Sequence, residues 1–493
     1  MPELTILTAL SIEALAVGGP TTVVGMGPAN AATAGARLAG TLPAGAPVAV
    51  TGVGGGISPD LRSGQVVVAS EVRTLEPGGP TVVPLPGARL VADELARVGL
   101  AVRIGPVASS PRLLSRRQRA ALAGSGALLV DMESGWLARQ LAGHPLAVVR
   151  VAADSAEHGP VRGGLRTIGP LMGIRPPLER WARALGQRQV LLAGPRSFCA
   201  GVERAVDIVE RALARFGSPV YVRRQIVHNR HVVADLQRRG AVFVEEVDEV
   251  PVGATCVLAA HGVAPEVHLQ AERRHLNVID ATCPLVAKVH AEARRFARQG
   301  RQLVLIGHGD HEEVVGTMGE APKRTHLVET VADVEHLPLR RDEPVAYLTQ
   351  TTLAVDETAS IVSALEERFS DVTGPPASDI CYATQNRQDA VAALAARCDL
   401  LLVVGSPNSS NTVRLVEVAR RRGCRAELVD DERHLQLSWL DGVTTVGITA
   451  GASAPEWLVQ RVVDRLGLLG PLDVREQRIT TETVEFSLPQ KVR

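Results

Sequence analysis

Three cysteines in the C-terminal part of the chain each stand where an apolar, strand-like run gives way to a helix-like one. They are Cys199 in LLAGPRSFCAGVERA, Cys283 in VIDATCPLVAKVHAEA and Cys381 in SDICYATQNRQDAVAAL. Successive members lie more than 80 residues apart, so they cannot form a local CxxC knuckle. They demand a fold that gathers three strand–Cys–helix units around one centre, an internal pseudo-threefold arrangement. A cysteine at a helix N-terminus has its thiolate favoured by the free backbone N–H groups and the helix dipole, and the thiolate is the form that binds metal. Cys256, Cys398 and Cys424 lie in apolar runs or near helix ends and read as core residues.

At 493 residues the chain is too long for one ordinary domain. With 22% charged residues and a net charge of +0 it lacks the basic excess of a nucleic-acid-binding protein. No apolar run approaches the roughly 18 residues that span a bilayer. The N-terminus carries Glu3 and Glu13 in place of a basic n-region, so no signal peptide and a cytoplasmic location are expected.

Strand-like runs (LTILTAL, TTVVGMG, PVAVTGVGGG, QVVVASEV, ALLVDME, LAVVRVAAD) alternate with helical ones over residues 1–170, an α/β pattern. The stretch 171–188, with a Pro-Pro pair and a short basic helix, reads as a linker. A second α/β region fills 189–493, and the tail VEFSLPQKVR is expected to pack back as a short strand.

In that second region, polar residues recur in the turns that follow strands. His228 ends QIVH and His261 ends CVLAAH; His311 and Glu313 lie in IGHGDHEEVVG, and Thr351 and Thr352 in YLTQTTL. Ser409, Ser410 and Asn411 lie in GSPNSSN, and Ser453 in TAGASAPEW. The carboxyl ends of strands in an α/β fold are where ligands bind, and Ser-, Asn- and Gly-rich turns before helices suit phosphate oxygens. Taken one at a time these have plain readings: SSN and ASAP as helix N-caps, a strand-end histidine as structural, HEE as solvated charge. Together they describe a diphosphate pocket beside a metal centre. Three thiolates can hold three irons of a four-iron cluster and leave the fourth open to substrate.

The motifs PRSFCAGVERA, VHNR, AAHGV, DATCPLVAKVH, HEEVVGTMG, TQTTL, DICYATQNRQ, GSPNSSNT and TAGASAPEWLV resemble, in order, those of the 4-hydroxy-3-methylbut-2-enyl diphosphate reductase family. That family makes isopentenyl and dimethylallyl diphosphate by two-electron reductive dehydroxylation. The resemblance implies a 4Fe-4S cluster on Cys199, Cys283 and Cys381 with one open iron. It implies an allylic diphosphate bound by His228, His261, Thr352, Ser409, Ser410, Asn411 and Ser453. It implies Glu313 as proton source, His311 and Thr351 beside the substrate hydroxyl, and a ferredoxin or flavodoxin as electron donor. Pro407 in GSPNSSN departs from the usual polar or basic residue.

The segments VGMGPANAATA, TGVGGGISPDLRSGQVVVAS, VDMES and VRVAADSA are similar to the nucleoside phosphorylase and nucleosidase superfamily. This implies Glu133 on ribose hydroxyls, Asp154 as acid toward a leaving purine, Glu13 as base for water, and Gly54 and Gly55 beside base or ribose. The plain reading makes Glu13 and Glu133 first-turn helix charges and Asp154 an N-cap. This region is short for the superfamily, has MES for MEG, and contains no Phe or Tyr to stack on a purine.

The expected architecture is α/β: an N-terminal phosphorylase-like α/β domain fused to a pseudo-threefold reductase of three α/β units around a central iron–sulfur cluster. Two other functions fit the same motifs: an iron–sulfur sensor, or a nucleosidase whose reductase half is vestigial. The intact Glu313, His311 and Thr351 set argues against the sensor, and the eroded N-terminal motifs argue against the second.

Overall fold

Short Val-, Leu-, Ile- and Ala-rich runs bounded by Gly, Pro or Asp form the strands of this protein, and they are mostly parallel and buried on both faces. The computed structural model describes residues 3–76, 79–154 and 164–493. They divide into two units: Met1–Gln187 with Gln436–Gly442 and Arg465–Pro471, and Arg188–Leu435 with Val443–Asp464 and Leu472–Arg493.

The first unit is built on an eight-stranded sheet. Val48–Gly56 pairs with both Leu129–Asp131 and Leu146–Ala152. The ring then closes through Val102–Ser109 and Val66–Thr74. Thr5–Thr8 and Thr22–Val23 extend one side, and Thr81–Pro84 the other. Closure removes edges that would otherwise need cover. The stretch 171–188 is not a linker. Most of it belongs to helix Gly164–Ala184, which runs through Pro170, Pro176 and Pro177. Leu171, Ile174, Leu178 and Trp181 are buried along one side of it at helical spacing, and that apolar stripe outweighs the breaking tendency of the prolines.

The second unit contains three parallel sheets. The first runs Ala241–Val244, Val220–Arg223, Thr255–Leu258, Asn277–Asp280, and the second Thr325–Val328, Gln302–Ile306, Val345–Thr349, Val372–Thr373. The third runs Ala426–Val429, Leu400–Val404, Thr445–Ala450, Arg188–Gly194, Leu472–Arg478. Numbered along the chain within each repeat, all three share the order 2-1-3, and a fourth strand follows. In the third sheet that fourth place goes to Arg188–Gly194, the first strand of the unit. The shared order is the pseudo-threefold arrangement expected from the cysteines.

The tail differs from expectation. The added strand is Leu472–Arg478, and VEFSLPQKVR carries only the short 3-10 turn Gln490–Val492. Pro489 has no N–H to offer a ladder. Val492 instead inserts into the core of the first sheet, 2% exposed.

Leu394 is fully buried in the core of the third sheet with Val391, Leu401 and Val403. Leu394→Ala should cost about 2–5 kcal/mol, read as a fall in the urea midpoint of the second unit.

Candidate active site

In a parallel sheet of order 2-1-3-4, the chain leaves strands 1 and 3 in opposite directions and opens a crevice at their carboxyl ends. All three sheets place site residues there. His228 and His261 follow Val220–Arg223 and Thr255–Leu258. His311 with Glu313, and Thr351 with Thr352, follow Gln302–Ile306 and Val345–Thr349. Ser409, Ser410 and Asn411 follow Leu400–Val404, and Ser453 follows Thr445–Ala450. Together with Cys199, Cys283 and Cys381 these residues line one cavity of about 100 Å³.

The cysteines arrive by another route. Each is the N-cap of a helix: Ala200–Phe216, Pro284–Arg298 and Tyr382–Ala395. Each helix follows the fourth strand of one sheet and packs on the next. Arg188–Gly194 of the third sheet leads to Cys199, whose helix buries Ala205, Ile208 and Ala212 on the first. Asn277–Asp280 of the first leads to Cys283, whose helix buries Val289, Ala293 and Phe296 on the second. Val372–Thr373 of the second leads to Cys381, whose helix buries Ala390, Val391 and Leu394 on the third. The thiols therefore meet where the three sheets meet.

All three thiols are free. Gly201 keeps the space among them open: a Cβ there would stand 2.7 Å from the Cys283 sulfur and 3.8 Å from that of Cys199. This donor set and glycine-lined space fit a thiolate-held metal cluster. Helix N-termini alone would favour thiolates, but burial dominates. It pushes the Cys283 thiol up to about 12 and that of Cys381 up to about 11, against weaker lowering by nearby N–H groups. In the ligand-free protein these two are neutral thiols, and metal must displace their protons.

The histidines form a second cluster. The rings of His228 and His261 stack, with centres 4.0 Å apart and planes at 17°, and His311 stands edge-on to both. Both ring nitrogens of His228 and Nε2 of His261 are buried without a partner among the described residues. Burial pushes His228 and His311 down to about 4, and burial with the neighbouring rings also holds His261 well below the usual imidazole range. All three are thus neutral imidazoles in this cavity.

Glu313 is buried in the first turn of helix Glu312–Glu320. Its Oε1 accepts from the Thr351 N–H at 2.7 Å and its Oε2 from the Thr351 hydroxyl at 3.0 Å, while its own N–H donates to Nδ1 of the N-cap His311 at 3.2 Å. Burial raises its carboxyl to about 7, over the opposing pull of both Thr351 bonds. The hydroxyl of Ser453 donates to Ser409 at 3.2 Å, and that of Thr352 to Ser410 at 3.0 Å.

The LytB protein family model matches residues 190–467, more than half of the chain. The chain belongs to the LytB family. It is 58% identical over 308 residues to the 4-hydroxy-3-methylbut-2-enyl diphosphate reductase of Mycolicibacterium paratuberculosis, covering 62% of this chain and 93% of that one. It is 58% identical over 313 residues to that of Acidothermus cellulolyticus, covering 63% and 92%. A solved reductase from Plasmodium falciparum is 38% identical, covering 62% of this chain and 97% of that one with a TM-score of 0.60. Residues 14–163 match the phosphorylase superfamily model. No helix among the described residues is long and apolar enough to cross a membrane.

The LytB half also uses residues that the sequence reading passed over. Gln350, 1% exposed, donates to Thr352 at 2.9 Å and accepts from the His308 N–H at 3.1 Å. Its signal was its place inside TQTTL. Thr384 lies three residues into the Cys381 helix, donates its N–H to that sulfur at 3.3 Å, and accepts from Asn411 Nδ2 at 3.2 Å. Arg387 is fully buried and donates to the carbonyls of Ser197 at 2.7 Å and Ala383 at 2.9 Å and to Glu482 at 2.9 Å. One guanidinium thus ties the Cys199 turn to the Cys381 helix. Nothing in the sequence set Arg387 apart from its many neighbours of the same type.

In the phosphorylase-like unit, Glu13, Gly54, Gly55, Glu133 and Asp154 line one cavity of about 360 Å³. Glu133 is the N-cap of helix Ser134–Gln140, and Glu13 lies in the first turn of Ser11–Val17. Asp154 is bound on both oxygens by Arg119, at 2.5 and 2.6 Å. A Cβ on Gly55 would collide with that same guanidinium, and one on Gly54 with Leu129.

Arg387→Met removes the side-chain donor to the Ser197 carbonyl and the buried ion pair with Glu482. It should cost roughly 3–5 kcal/mol and lower the iron and sulfide retained per chain after anaerobic gel filtration, whereas the surface change Arg340→Met should alter neither.

Proposed function

We propose that the chain is an iron–sulfur oxidoreductase that converts 4-hydroxy-3-methylbut-2-enyl diphosphate to isopentenyl and dimethylallyl diphosphate, the last step of the methylerythritol phosphate route. Relatives bearing the reductase name align over nearly their whole length. One observation carries the reading: three free thiols, two histidines with unpartnered ring nitrogens and a carboxyl raised to about 7 share one cavity. On this reading residues 189–493 form the reductase domain, residues 1–170 a phosphorylase-like domain, and the protein works in the cytoplasm.

Cys199, Cys283 and Cys381 hold a 4Fe-4S cluster with one open iron. When bound, the cluster supplies electrons one at a time and a Lewis acid for the substrate hydroxyl. His228 and His261 turn their unpartnered nitrogens to the diphosphate, and the anion favours their protonated form. Thr352, Ser409, Ser410, Asn411 and Ser453 complete its hydrogen bonding. His311 and Thr351 hold the hydroxyl end, and Glu313 delivers the proton that leaves with the oxygen as water. The allylic C–O bond breaks and a C–H bond forms, so each turnover consumes two electrons and two protons. Ferredoxin or flavodoxin delivers the electrons singly.

The test is anaerobic turnover of the diphosphate by the reconstituted full-length protein with a reduced viologen dye. Both C5 diphosphates should appear. No product at full iron and sulfide content would sink the reductase reading and leave the sensor.

Glu313→Gln should keep cluster and substrate binding and lose about 10²–10⁴-fold in kcat, the usual share of a general acid; near-normal turnover would remove Glu313 from this role. The active form of Glu313 is the protonated one, so kcat should fall as pH rises through about 7. The Thr351 hydroxyl stabilises the ionised carboxylate, so Thr351→Val should move that fall to higher pH in the kcat–pH profile.

A further inference from the structure

The turns that carry the three cysteines are irregular backbone, so their N–H and C=O groups need partners from outside the ladders. The cysteine N–H groups find theirs within their own sheet. Cys199 donates to the Ala452 carbonyl at 3.3 Å, Cys283 to that of Ala260 at 2.9 Å and Cys381 to that of Thr351 at 3.1 Å. Each acceptor stands in the turn after the third strand of the sheet from which the cysteine has just come.

The carbonyls before the cysteines are bound differently, by a cation from another unit. Arg204, in the second turn of the Cys199 helix, donates through one Nη to the carbonyls of Ala281 and Thr282, both at 3.2 Å, immediately before Cys283. Lys288, in the second turn of the Cys283 helix, donates to the carbonyls of Ala377 at 2.9 Å and Ser378 at 3.3 Å and to the Asp379 carboxylate at 3.2 Å, on the approach to Cys381. Arg387, in the second turn of the Cys381 helix, donates to the carbonyls of Ser197 at 2.7 Å and Phe198 at 3.3 Å, immediately before Cys199. Each cysteine helix thus holds the turn of the next cysteine, and the third returns to the first.

The three clasps differ in charge. Arg387 is paired with Glu482 at 2.9 Å and Lys288 with Asp379 at 3.2 Å. The hydrogen bonds of Arg204 among the described residues all go to carbonyls, the remaining one to Ser487 at 2.9 Å. Burial lowers its guanidinium from the usual range, and attraction by an ionised Cys283 and by Asp280 opposes this. We propose, on the iron–sulfur reading above, that Arg204, Lys288 and Arg387 are positioning residues that clasp the three cysteine turns into one closed ring, and that Arg204, the clasp without a carboxylate partner, raises the reduction potential of the cluster held there. Reduction adds negative charge to a cluster, and a fixed positive charge nearby favours the reduced form.

The experiment takes the full-length chain loaded anaerobically with iron and sulfide. Arg204→Met and Lys288→Met should each lose iron to a ferrous chelator about 10–100-fold faster than wild type, the usual effect of removing a group that orients a metal ligand. A dye-equilibrated titration followed by electron paramagnetic resonance should give Arg204→Met a more negative midpoint potential than wild type, and Arg204→Lys should restore it. Arg340→Met should change neither reading. Should Arg204→Met fail to fold, Arg204→Gln, which keeps an N–H donor and removes the charge, gives the same reading of potential. A wild-type chain that takes up no iron and sulfide would sink the iron–sulfur reading, and the clasp with it. Full loading of the wild type, with both methionine variants releasing iron at its rate or with the uncharged Arg204 variant at its potential, overturns the clasp alone.

Discussion

The site of the LytB half depends on three helices that each begin at one sheet and pack on the next. A parallel strand must be followed by a crossover, and here the connection after the fourth strand of each sheet is used to reach its neighbour. Cys199, Cys283 and Cys381 cap those helices, so each sulfur is positioned by two cores at once. Displacing any sheet would pull a thiol out of the set. Arg387 strengthens the same junction by binding the Cys199 turn and the Cys381 helix with one side chain. The histidines and hydroxyls depend less on this device. They come from the switch points between central strands, where any parallel sheet of this order leaves a crevice.

Burial sets the charge state of what gathers there. It raises the thiols of Cys283 and Cys381 and the carboxyl of Glu313, and it lowers all three histidines. Every shift is toward the neutral form, because an unpaired charge in that cavity would lack the water that stabilises it. The site is therefore close to uncharged, and any charge placed there needs a partner to offset the lost hydration. Glu313 sits at the balance point. Two bonds from Thr351 pull it down while burial pushes it up, which leaves a group near 7 that can both hold and give up a proton.

Much of this was legible. Strand–Cys–helix spacing pointed to a threefold gathering, and the polar turns after strands identified the residues that line the cavity. What stayed hidden was what depends on partners far away in sequence. Helix Gly164–Ala184 looked like a linker because its prolines are a local signal, while the stripe of Leu171, Ile174, Leu178 and Trp181 needs a core to bury against. VEFSLPQKVR looked like a strand from its apolar residues, yet no ladder among the described residues takes it, and Val492 and Leu488 pack it onto the core of the first sheet. The balance between helix dipole and burial at the cysteines could not be read either. The first follows from position in the chain, the second only from what the fold packs around it.

The histidine-lined cavity and the carboxylate-lined cavity differ in how their buried polar groups are partnered. In the LytB half, His228 and His261 are buried with ring nitrogens unpartnered, a state that costs about 1–3 kcal/mol for each unsatisfied group and is relieved when a polar ligand enters. In the phosphorylase-like unit, the Asp154 carboxylate is already paired with Arg119, and that of Asp131 with Arg150. Breaking a buried pair of this kind costs roughly 3–5 kcal/mol, more than a hydrogen bond or two to a substrate would return. A group that must change protonation during turnover cannot be held so firmly in one state.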